Sequence, residues 1–495
     1  MKLLLFILLS LNLCAQTNIK VEGRGLDIRP LKIGTPLYPS GTSPKFAAYR
    51  NSPHIITNID DSLASTSYAT IPVIRNDKRK DYALTRVQAD APGTLLIGIP
   101  DPKFEHPGWK RTKGVFKTKS TTYYRYRHAY HKVGEWLDLP RASSKLPIVV
   151  FGKSGHLSFA NPLPVPGTII VSETAYPGSQ AIFNPSLIIL SNGDYLANCS
   201  MRGHCPTFRS SDQGRTWQLV SDPHLRLSFQ SLFEHRGNLY LLGKAWLDDK
   251  APVNGRSAVL YQSTDQGKSW SEPVYLPFQI AGGHGRDSAP SRMIAHEGRL
   301  LRAVQVMTAG KWGPGFLGID ADADPTEPGN WSIANGITTG QMDEGDTLLT
   351  REGQLVNLAK TSNGHAAKIT YLSPTEAAFE PDNDLVQLPG SDSKFSVRFD
   401  SASNKYWALT SMGKNRSELH LFSSSDLKNF SFERKILEGR SDHFDGHNYP
   451  FAQIDGDDLI FVLRHAHENE RGQPQRWHDA NYLTFHRIKN FRQKQ

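Results

Sequence analysis

The 495-residue chain has few cysteines, and none of them lies in a pattern typical of metal binding. Of its three cysteines, one falls in the apolar N-terminal segment, so only Cys199 and Cys205 remain in the rest of the chain. In an oxidising compartment these two could form a disulfide across the short segment between them, or they could remain free thiols. Neither neighbourhood has the spacing of a zinc site, so we expect no metal and no cofactor.

Long apolar runs are also lacking. No stretch beyond the N-terminus approaches the roughly 18 consecutive apolar residues that a membrane-spanning helix needs, so we expect no integral membrane segment. The first residues, MKLLLFILLSLNLCAQ, combine a lysine, an apolar run and the small residue Ala15, which predicts a signal peptide over 1–15. Lipidation of Cys14 is less favoured, because lipoprotein processing needs a small residue directly before the cysteine and Leu13 is large. We therefore expect a soluble monomer that is secreted or periplasmic.

Acidic residues are missing from one stretch, KRTKGVFKTKSTTYYRYRHAYHK at 110–132. The whole chain carries a formal charge of +9 and has a pI near 9.2, which favours anionic partners in general. Because the export signal argues against nucleic acid, we expect an anionic carbohydrate partner. The stretch itself is either the solvated face of a hairpin or a surface that attracts a polyanion such as an acidic polysaccharide.

Two nearly identical turns stand out, SSDQGRTW at 210–217 and STDQGKSW at 263–270. In each, the aspartate can accept backbone hydrogen bonds within the turn, the glycine can supply a positive φ, and the tryptophan can pack on the adjoining strands. Degenerate versions follow at steps of 51 to 57 residues, near Asp322, Thr375, Asp426 and Asp479.

A second series of strand–turn–strand patterns keeps the same period. Its six members lie at 184–197, 229–242, 289–303, 344–358, 395–409 and 449–463. A repeat of about 50 residues with four strands per unit is typical of a β-propeller. The sequence therefore predicts an all-β protein with a six-bladed propeller over 165–492. Residues 22–160 do not share the period and predict a small, separate β-sandwich.

Ligands of propellers bind where the innermost strands converge, so the residues that open those strands are the candidates for function. Counting back from the hairpin turns places Asn184, Ser228, Ala289, Glu344, Phe395 and His447 at one step. Our candidates for catalysis are Tyr449, Glu344, His447 and Asp287. Our candidates for substrate binding are Arg202, Arg292, Arg398, Asn184, Lys394, Gln230 and His204. Arginines suit this role because a guanidinium donates two parallel hydrogen bonds to a carboxylate.

The turn motif is the Asp-box, and residues 180–492 resemble the bacterial sialidase-like (BNR, exo-α-sialidase) propeller proteins. Phrases such as FNPSLIILSNGDYLA, SAPSRMIAHEGRLLRA and HDANYLTFHRIKNFR carry the resemblance. It implies a glycoside hydrolase in which a tyrosine is the nucleophile and a neighbouring glutamate takes its proton. Tyr449 and Glu344 match these roles. On their residues alone, Tyr449 could equally be a core aromatic, and Glu344 part of a solvated acidic turn.

The chain departs from this family at the start of blade 1. Sialidases open that blade with Arg-Ile-Pro, and the arginine holds the substrate carboxylate, whereas here FNPS places Asn184 at that position. We therefore expect an exo-acting hydrolase of an acidic glycan and not a true sialidase. Two alternatives stay open. One is a polysaccharide lyase in which Tyr449 and His447 remove a proton beside a uronate carboxylate, and the other is a propeller that binds glycans without catalysis.

Overall fold

In the computed structural model, the described residues fall into two groups of β-sheets, which are antiparallel except for the parallel pair Ile19–Glu22 and Leu157–Phe159 in the N-terminal group. Backbone is described for 19–22, 28–30, 56–59 and 66–71, and then for most of 86–493 with interruptions at loops. The larger interruptions are 140–147, 173–181, 246–256, 280–289, 336–341 and 468–476. Two short 3₁₀ helices, Pro328–Asn330 and Lys414–Arg416, are the only helices in this part of the chain. No described helix is long and apolar enough to cross a bilayer.

The N-terminal group forms the predicted β-sandwich. Its strands are β1 (Ile19–Glu22), β2 (Ile28–Pro30), β3 (Ile56–Ile59), β4 (Thr66–Ile71), β5 (Arg86–Ala89), β6 (Gly93–Ile99), β7 (Trp109–Thr118), β8 (Thr122–Tyr130), β9 (Leu137–Asp138), β10 (Ile148–Lys153) and β11 (Leu157–Phe159). They form a four-stranded sheet of order β11-β1-β5-β9 and a seven-stranded sheet of order β2-β4-β10-β6-β8-β7-β3. Val87 from the first sheet and Ile97, Tyr126 and Val150 from the second share one apolar core.

The remaining strands form six successive sheets, each built on four antiparallel strands. Blade 1 contains β13 (Phe183–Ile189), β14 (Tyr195–Ser200), β15 (Thr207–Ser210) and β16 (Gln218–Ser221). Blade 2 contains β17 (Leu227–His235), β18 (Asn238–Ala245), β19 (Ser257–Ser263) and β20 (Val274–Gln279). Blade 3 contains β21 (Met293–His296), β22 (Arg299–Thr308), β23 (Lys311–Asp320) and β24 (Trp331–Asn335). All six predicted strand–turn–strand units are present as the first hairpin of a blade.

The second half repeats the pattern with one addition. Blade 4 contains β25 (Met342–Leu349), β26 (Leu355–Thr361), β27 (Ala366–Ser373) and β28 (Glu376–Ala378), with β29 (Leu385–Val386) also paired to β27. Blade 5 contains β30 (Ser396–Asp400), β31 (Lys405–Met412), β32 (Glu418–Ser424) and β33 (Ser431–Glu438). Blade 6 contains β34 (Gly446–Asp455), β35 (Asp458–Ala466), β36 (Tyr482–Ile488) and, from before blade 1, β12 (Thr168–Ser172).

The six sheets close into a ring. Hydrogen bonds join each innermost strand to the next: Leu232 N to Ser186 Oγ, Ser231 Oγ to Ser291 O, Thr347 N to Ser291 Oγ, Val397 N to Asp346 Oδ2, Ala452 N to Ser396 Oγ, and Gln453 Nε2 to Leu187 O. We call this series the inner belt. Apolar clusters also fill the space between every two neighbouring blades, including the sixth and the first. The predicted six-bladed propeller is thereby confirmed.

Each Asp-box turn is held together by hydrogen bonds between its own residues. In blade 1, Gly214 N donates to Ser210 Oγ (2.8 Å) and Thr216 N donates to Asp212 Oδ1 (2.9 Å). Gly214 has φ +86°, a conformation that costs a glycine little. Blade 2 repeats these bonds around Asp265. The aspartate therefore accepts backbone hydrogen bonds within the turn, as predicted, and in blade 1 it also accepts bonds from the hydroxyls of Ser210 and Thr216.

The degenerate turns differ from expectation in two blades. In blade 3 the carboxylate that accepts the turn amide belongs to Asp324, whose Oδ1 is 2.9 Å from Thr326 N, and not to Asp322. In blade 6 the third strand ends at Ile488, so its turn follows that residue, whereas position 479 precedes the strand. The regular spacing fails there because a longer connection separates β35 from β36. Asp479 itself lies outside the described residues.

The sequence left open whether Cys199 and Cys205 form a disulfide. Both are buried, and no disulfide joins them. Burial raises the pKa of Cys205 to about 12, even though its thiol lies 3.5 Å from Asn198 Oδ1. A thiol held in its protonated form is a poor nucleophile and a poor metal ligand, so Cys205 is suited to neither role. We assign both cysteines, which are buried in blade 1, to the packing of that blade.

Candidate active site

Four of the innermost strands carry the same irregularity at the channel. In blades 1, 2, 4 and 6 the pairing register shifts where the inner strand begins, as in a β-bulge. Within each bulge one residue other than glycine has a positive φ: Asn184 (+47°), Phe229 (+55°), Glu344 (+42°) and Tyr449 (+57°). A left-handed backbone conformation is unfavourable for these residues and persists only where the surrounding structure imposes it. The inner belt, which begins directly after the bulges, provides that constraint.

This register corrects the one counted from the sequence. The bulge of blade 2 aligns Phe229, not Ser228, with Asn184, and the bulge of blade 6 aligns Tyr449, not His447. The count failed because the hairpin loops differ in length. Strands pair up to Ile189 and Tyr195 in blade 1, but up to His235 and Asn238 in blade 2. Counting from the turn therefore shifts the inner positions between blades.

Glu344 and Tyr449 meet in the channel, although they are 105 residues apart in sequence. The Tyr449 hydroxyl donates a hydrogen bond to Glu344 Oε1, and Lys360 Nζ lies 2.8 Å from Glu344 Oε2. Lys360 also contacts Asp343 at 3.2 Å. Glu344 is 6% exposed, whereas Tyr449 is partly exposed. The phenol thus lies at the surface of the channel with the carboxylate behind it.

Electrostatics separate the protonation states of the pair. Burial opposes ionisation of Glu344, but the Lys360 ammonium, the hydrogen bond from Tyr449 and the charge of Arg416 hold its pKa below the ordinary value. Burial and the neighbouring Glu344 charge raise the pKa of Tyr449 well above the ordinary value, despite the opposing effects of Arg464 and Arg416. At neutral pH the pair therefore consists of a carboxylate and a protonated phenol. This is the state in which Glu344 can accept the proton of Tyr449.

Gly345 is required beside Glu344 for steric reasons. A Cβ at this position would lie 1.8 Å from Asn357 Oδ1, so only glycine allows the bulge to pack on the second strand of blade 4. Lys394, a predicted substrate ligand, is 3% exposed and donates to Gly345 O at 2.9 Å. Its ammonium therefore supports the backbone that carries Glu344.

Sequence reasoning missed two arginines next to Tyr449. The Arg464 guanidinium lies 4.1 Å from the centre of the Tyr449 ring, and its Nη2 is 2.6 Å from His478 Nε2. Arg416 stacks on Trp477 at 4.6 Å and donates to Asn448 Oδ1 at 3.1 Å. Arg464 was predictable in part, because it follows the apolar run of the second strand of blade 6.

Arg416 had no comparable signal in the sequence. It ends the 3₁₀ turn Lys414–Arg416, in which Asn415 and Arg416 both have positive φ, +62° and +55°. Two consecutive left-handed residues other than glycine are uncommon and concentrate at functional sites. They direct a blade 5 loop toward Tyr449 and Glu344, whose pKa values both respond to the Arg416 charge.

Blade 1 presents neutral amides where the family resemblance implies an arginine. Asn184 Nδ2 donates to Ser200 Oγ (3.2 Å), and Gln230 Nε2 donates to Asn184 O (3.1 Å) and to Asn198 Oδ1 (2.9 Å). Asn184 is 1% exposed, and Gln230 has no exposed surface. Both were predicted to bind substrate, but in the structure their amide groups form hydrogen bonds within a buried network.

Two of the predicted arginines differ in their partners. Arg398 is buried, pairs with Asp346 at 2.7 Å and donates to Ala452 O at 2.7 Å, so it joins blades 4, 5 and 6. Arg292 precedes the inner strand of blade 3, and its buried Nε has no hydrogen-bond partner. Arg398 Nη2 is likewise buried without a hydrogen-bond partner, so what separates the two residues is the ion pair of Arg398 with Asp346.

His447 lies beside the site but not at its surface. It is fully buried, its ring centre is 4.6 Å from that of His465, and burial lowers its pKa to about 4. His204 lies in the blade 1 loop, 3.3 Å from Asp222. Arg202 and Asp287 fall outside the described residues. Within the described chain, no group of three or more His, Cys, Asp or Glu side chains has the arrangement of a metal site, despite the histidines near His447.

No family model and no curated protein matches the chain. Similar solved structures include an α-L-arabinanase of Penicillium chrysogenum in complex with arabinobiose, which is 16% identical over 67% of this chain and 99% of its own, with a TM-score of 0.45. A Trypanosoma rangeli sialidase in complex with sialic acid is 15% identical over 66% of this chain and 57% of its own, with a TM-score of 0.45. A leech intramolecular trans-sialidase is 11% identical over 96% of this chain and 93% of its own, with a TM-score of 0.48.

Proposed function

We propose that the protein is a glycoside hydrolase that removes a terminal acidic sugar, with Tyr449 as nucleophile and Glu344 as its base. The observation that carries this proposal is the hydrogen bond from the Tyr449 hydroxyl to the ionised, buried Glu344. A phenol is a weak nucleophile unless an adjacent base removes its proton. The sialidase-like resemblance of the sequence assigns the same two roles to a tyrosine and a glutamate.

In this mechanism the Tyr449 oxygen attacks the anomeric carbon while its proton passes to Glu344. The bond between that carbon and the glycosidic oxygen breaks, and a general acid protonates the leaving oxygen. Asp287 is our candidate for that acid. Water then attacks the glycosyl–tyrosine and gives one proton to the Asp287 carboxylate, which restores the acid. The tyrosine oxygen leaves with the proton held by Glu344, and the two displacements together retain the configuration of the anomeric carbon.

A charged substrate explains why the nucleophile would be a tyrosine. A carboxylate nucleophile repels a sugar that bears a negative charge near its reacting carbon, whereas a neutral phenol approaches without that repulsion. The surroundings of the pair are also cationic. The positive groups that act on Tyr449, Glu344 or Asp346 are Arg292, Lys360, Lys394, Arg398, Arg416 and Arg464. They outnumber the carboxylates among them, which are Asp343, Glu344 and Asp346.

We assign the substrate anion to Arg416 and Arg292. Arg416 is partly exposed beside Tyr449, and Arg292 is partly exposed just before the inner strand of blade 3. Arg398 is excluded because Asp346 already neutralises it. This assignment places the anion away from Asn184, so it is consistent with an acidic sugar other than sialic acid.

The test is an assay of the purified protein on terminal uronates, sialosides and neutral glycosides, recorded both as new reducing ends and as ultraviolet absorbance. Hydrolysis gives new reducing ends without a new chromophore. The proton NMR spectrum of the product that is released first should show the retained anomer. Arg416→Gln should weaken turnover of a uronide more than that of its methyl ester, which lacks the charge. A lyase would give an unsaturated, absorbing product, and a glycan-binding protein would give neither signal. The buried position of His447 disfavours the lyase.

A further inference from the structure

A cleft of about 600 Å³ opens in the N-terminal β-sandwich, between the segment that follows β6 and the start of β7. It is lined by Lys103, Phe104, Glu105, His106 and Arg111, with Tyr126 beneath them. None of these residues belongs to the propeller. The cleft therefore needs an explanation that is independent of the proposed hydrolase site.

The aromatic part of the cleft is rigid. Phe104 contacts the ring of the buried Tyr126 edge-on at 5.1 Å, and the Tyr126 hydroxyl donates to Asp101 O at 2.7 Å. The ring of His106 lies parallel to that of Phe104, with centres 6.1 Å apart. Aromatic rings held this way pack against the apolar faces of sugar rings without losing side-chain freedom on binding.

Two exposed cations stand over this aromatic surface. Arg111 is fixed by a hydrogen bond from Nη1 to Pro102 O (3.1 Å) and by its position 4.4 Å from the centre of the Tyr124 ring. Lys103 is exposed and forms no ion pair with any described residue. Glu105 is the one carboxylate in the lining. The cleft therefore combines an aromatic surface with two exposed cations.

The neighbouring hairpin extends the positive charge. Lys110 and Arg127 are direct cross-strand partners on β7 and β8, and both are exposed, as is Lys113. Like charges in opposed positions destabilise a hairpin. The hairpin tolerates this cost in a stretch with no acidic residue, which is the pattern of a surface that attracts a polyanion.

We propose that this cleft binds an acidic polysaccharide, with a sugar ring on Phe104 and its carboxylate or sulfate groups paired to Lys103 and Arg111. The site would hold the enzyme on a polymer while the propeller acts on chain ends. It requires only binding, so it stands even if the propeller has another activity.

Affinity electrophoresis of the full chain in gels that contain polygalacturonate, dextran sulfate or neutral dextran tests the proposal. We expect retardation by at least one of the anionic polymers and none by dextran. Lys103→Gln with Arg111→Gln should lower the affinity about tenfold or more, because two charge-assisted hydrogen bonds are lost. The matched control is Arg215→Gln with Lys428→Gln, which removes the same two charges from exposed positions of the propeller. It should leave the affinity within about twofold.

Equal losses in the two double variants would show attraction by net charge alone and would overturn the site. Retention of full affinity by the Lys103 and Arg111 variant would do the same. Double-stranded DNA in the gel is a further arm: if DNA bound as tightly as the polysaccharides and through the same residues, the surface would be a nucleic-acid site. Phe104→Ala, checked for unchanged unfolding temperature, should weaken polysaccharide binding without changing the net charge.

Discussion

Blades 1 and 2, compared with blades 4 and 6, show one backbone arrangement carrying two kinds of side chain. Each of these four inner strands begins with a bulge in which one residue has positive φ. In blade 1 that residue is Asn184, which belongs to a network of neutral amides and hydroxyls. In blade 2 it is Phe229, whose carbonyl accepts a hydrogen bond from Arg302 and whose ring centre lies 5.8 Å from Lys244 Nζ, so no carboxylate or phenol is presented there. In blades 4 and 6 it is Glu344 or Tyr449, surrounded by Lys360, Arg416 and Arg464. The bulges alone therefore do not define a site.

The difference shows that the same left-handed backbone is imposed in each of these blades, whereas the bulge residues of two of them form a hydrogen-bonded pair of a phenol and a carboxylate. A residue other than glycine in left-handed backbone costs on the order of 1 kcal/mol. In blade 1 the amide network satisfies the strained segment internally. In blades 4 and 6 the groups on the bulges satisfy each other, because the Tyr449 hydroxyl donates a hydrogen bond to Glu344 Oε1.

The largest effect should follow from removing the Tyr449 hydroxyl. Tyr449→Phe keeps the ring above Arg464 but removes the nucleophile, so kcat should fall by about a thousandfold or more. The matched control is Phe229→Leu, at the equivalent bulge of blade 2, which should leave kcat nearly unchanged. Steady-state kinetics on the best substrate of the screen measure both. If Tyr449→Phe kept most of the activity, Tyr449 would not be the nucleophile.

The second comparison concerns the belt residue that follows each bulge. Asp346→Ala removes the partner of the buried Arg398 guanidinium and the acceptor of Val397 N, so the free energy of unfolding should fall by about 3 to 5 kcal/mol. Ser186→Ala in blade 1 removes only the acceptor of Leu232 N and should cost about 1 kcal/mol. Denaturant midpoints of the two variants measure the difference. Equal shifts of the two midpoints would mean that the ion pair between Asp346 and Arg398 does not stabilise the inner belt.

The positive charge of Lys360 should set the pH at which activity is lost on the acid side of the pH profile. Glu344 has a depressed pKa, so its carboxylate form is present above the ordinary glutamate pKa and is lost only as the pH falls through the lower value of the folded protein. Lys360→Met removes the nearest ammonium and should raise the pKa of Glu344. The acid limb of kcat/KM should therefore move to higher pH, while kcat near neutral pH changes less. An unmoved limb would show that another group controls it.

Much of the fold was predictable because it depends on local patterns. The Asp-boxes of 210–217 and 263–270 set the repeat, and the strand–turn–strand patterns fixed the number of blades. The position of the sixth turn was not predictable, because the connection between β35 and β36 breaks the spacing. A periodic count cannot detect an insertion that has no pattern of its own.

The candidate site was predictable only where a residue type carried the information. Glu344 and Tyr449 could be paired from the family resemblance, and the structure brings them into contact. The uses of Arg398 and Lys394 were not predictable, since a buried partner such as Asp346 is visible only in three dimensions. Arg416 was missed because its position depends on two left-handed residues, neither of which is glycine.

The smallest effect should come from Asn184, where the amide network replaces the arginine of the family pattern. Asn184→Ala removes the hydrogen bond to Ser200 and places a less suitable residue at φ +47°, so stability should fall by about 1 kcal/mol. Because Asn184 is 1% exposed, KM and kcat for an acidic substrate should stay within about twofold of the wild type. Kinetics and denaturant unfolding of the same preparation separate the two effects. A large rise in KM with unchanged stability would instead place the substrate against blade 1, and the contrast between the two pairs of blades would fail.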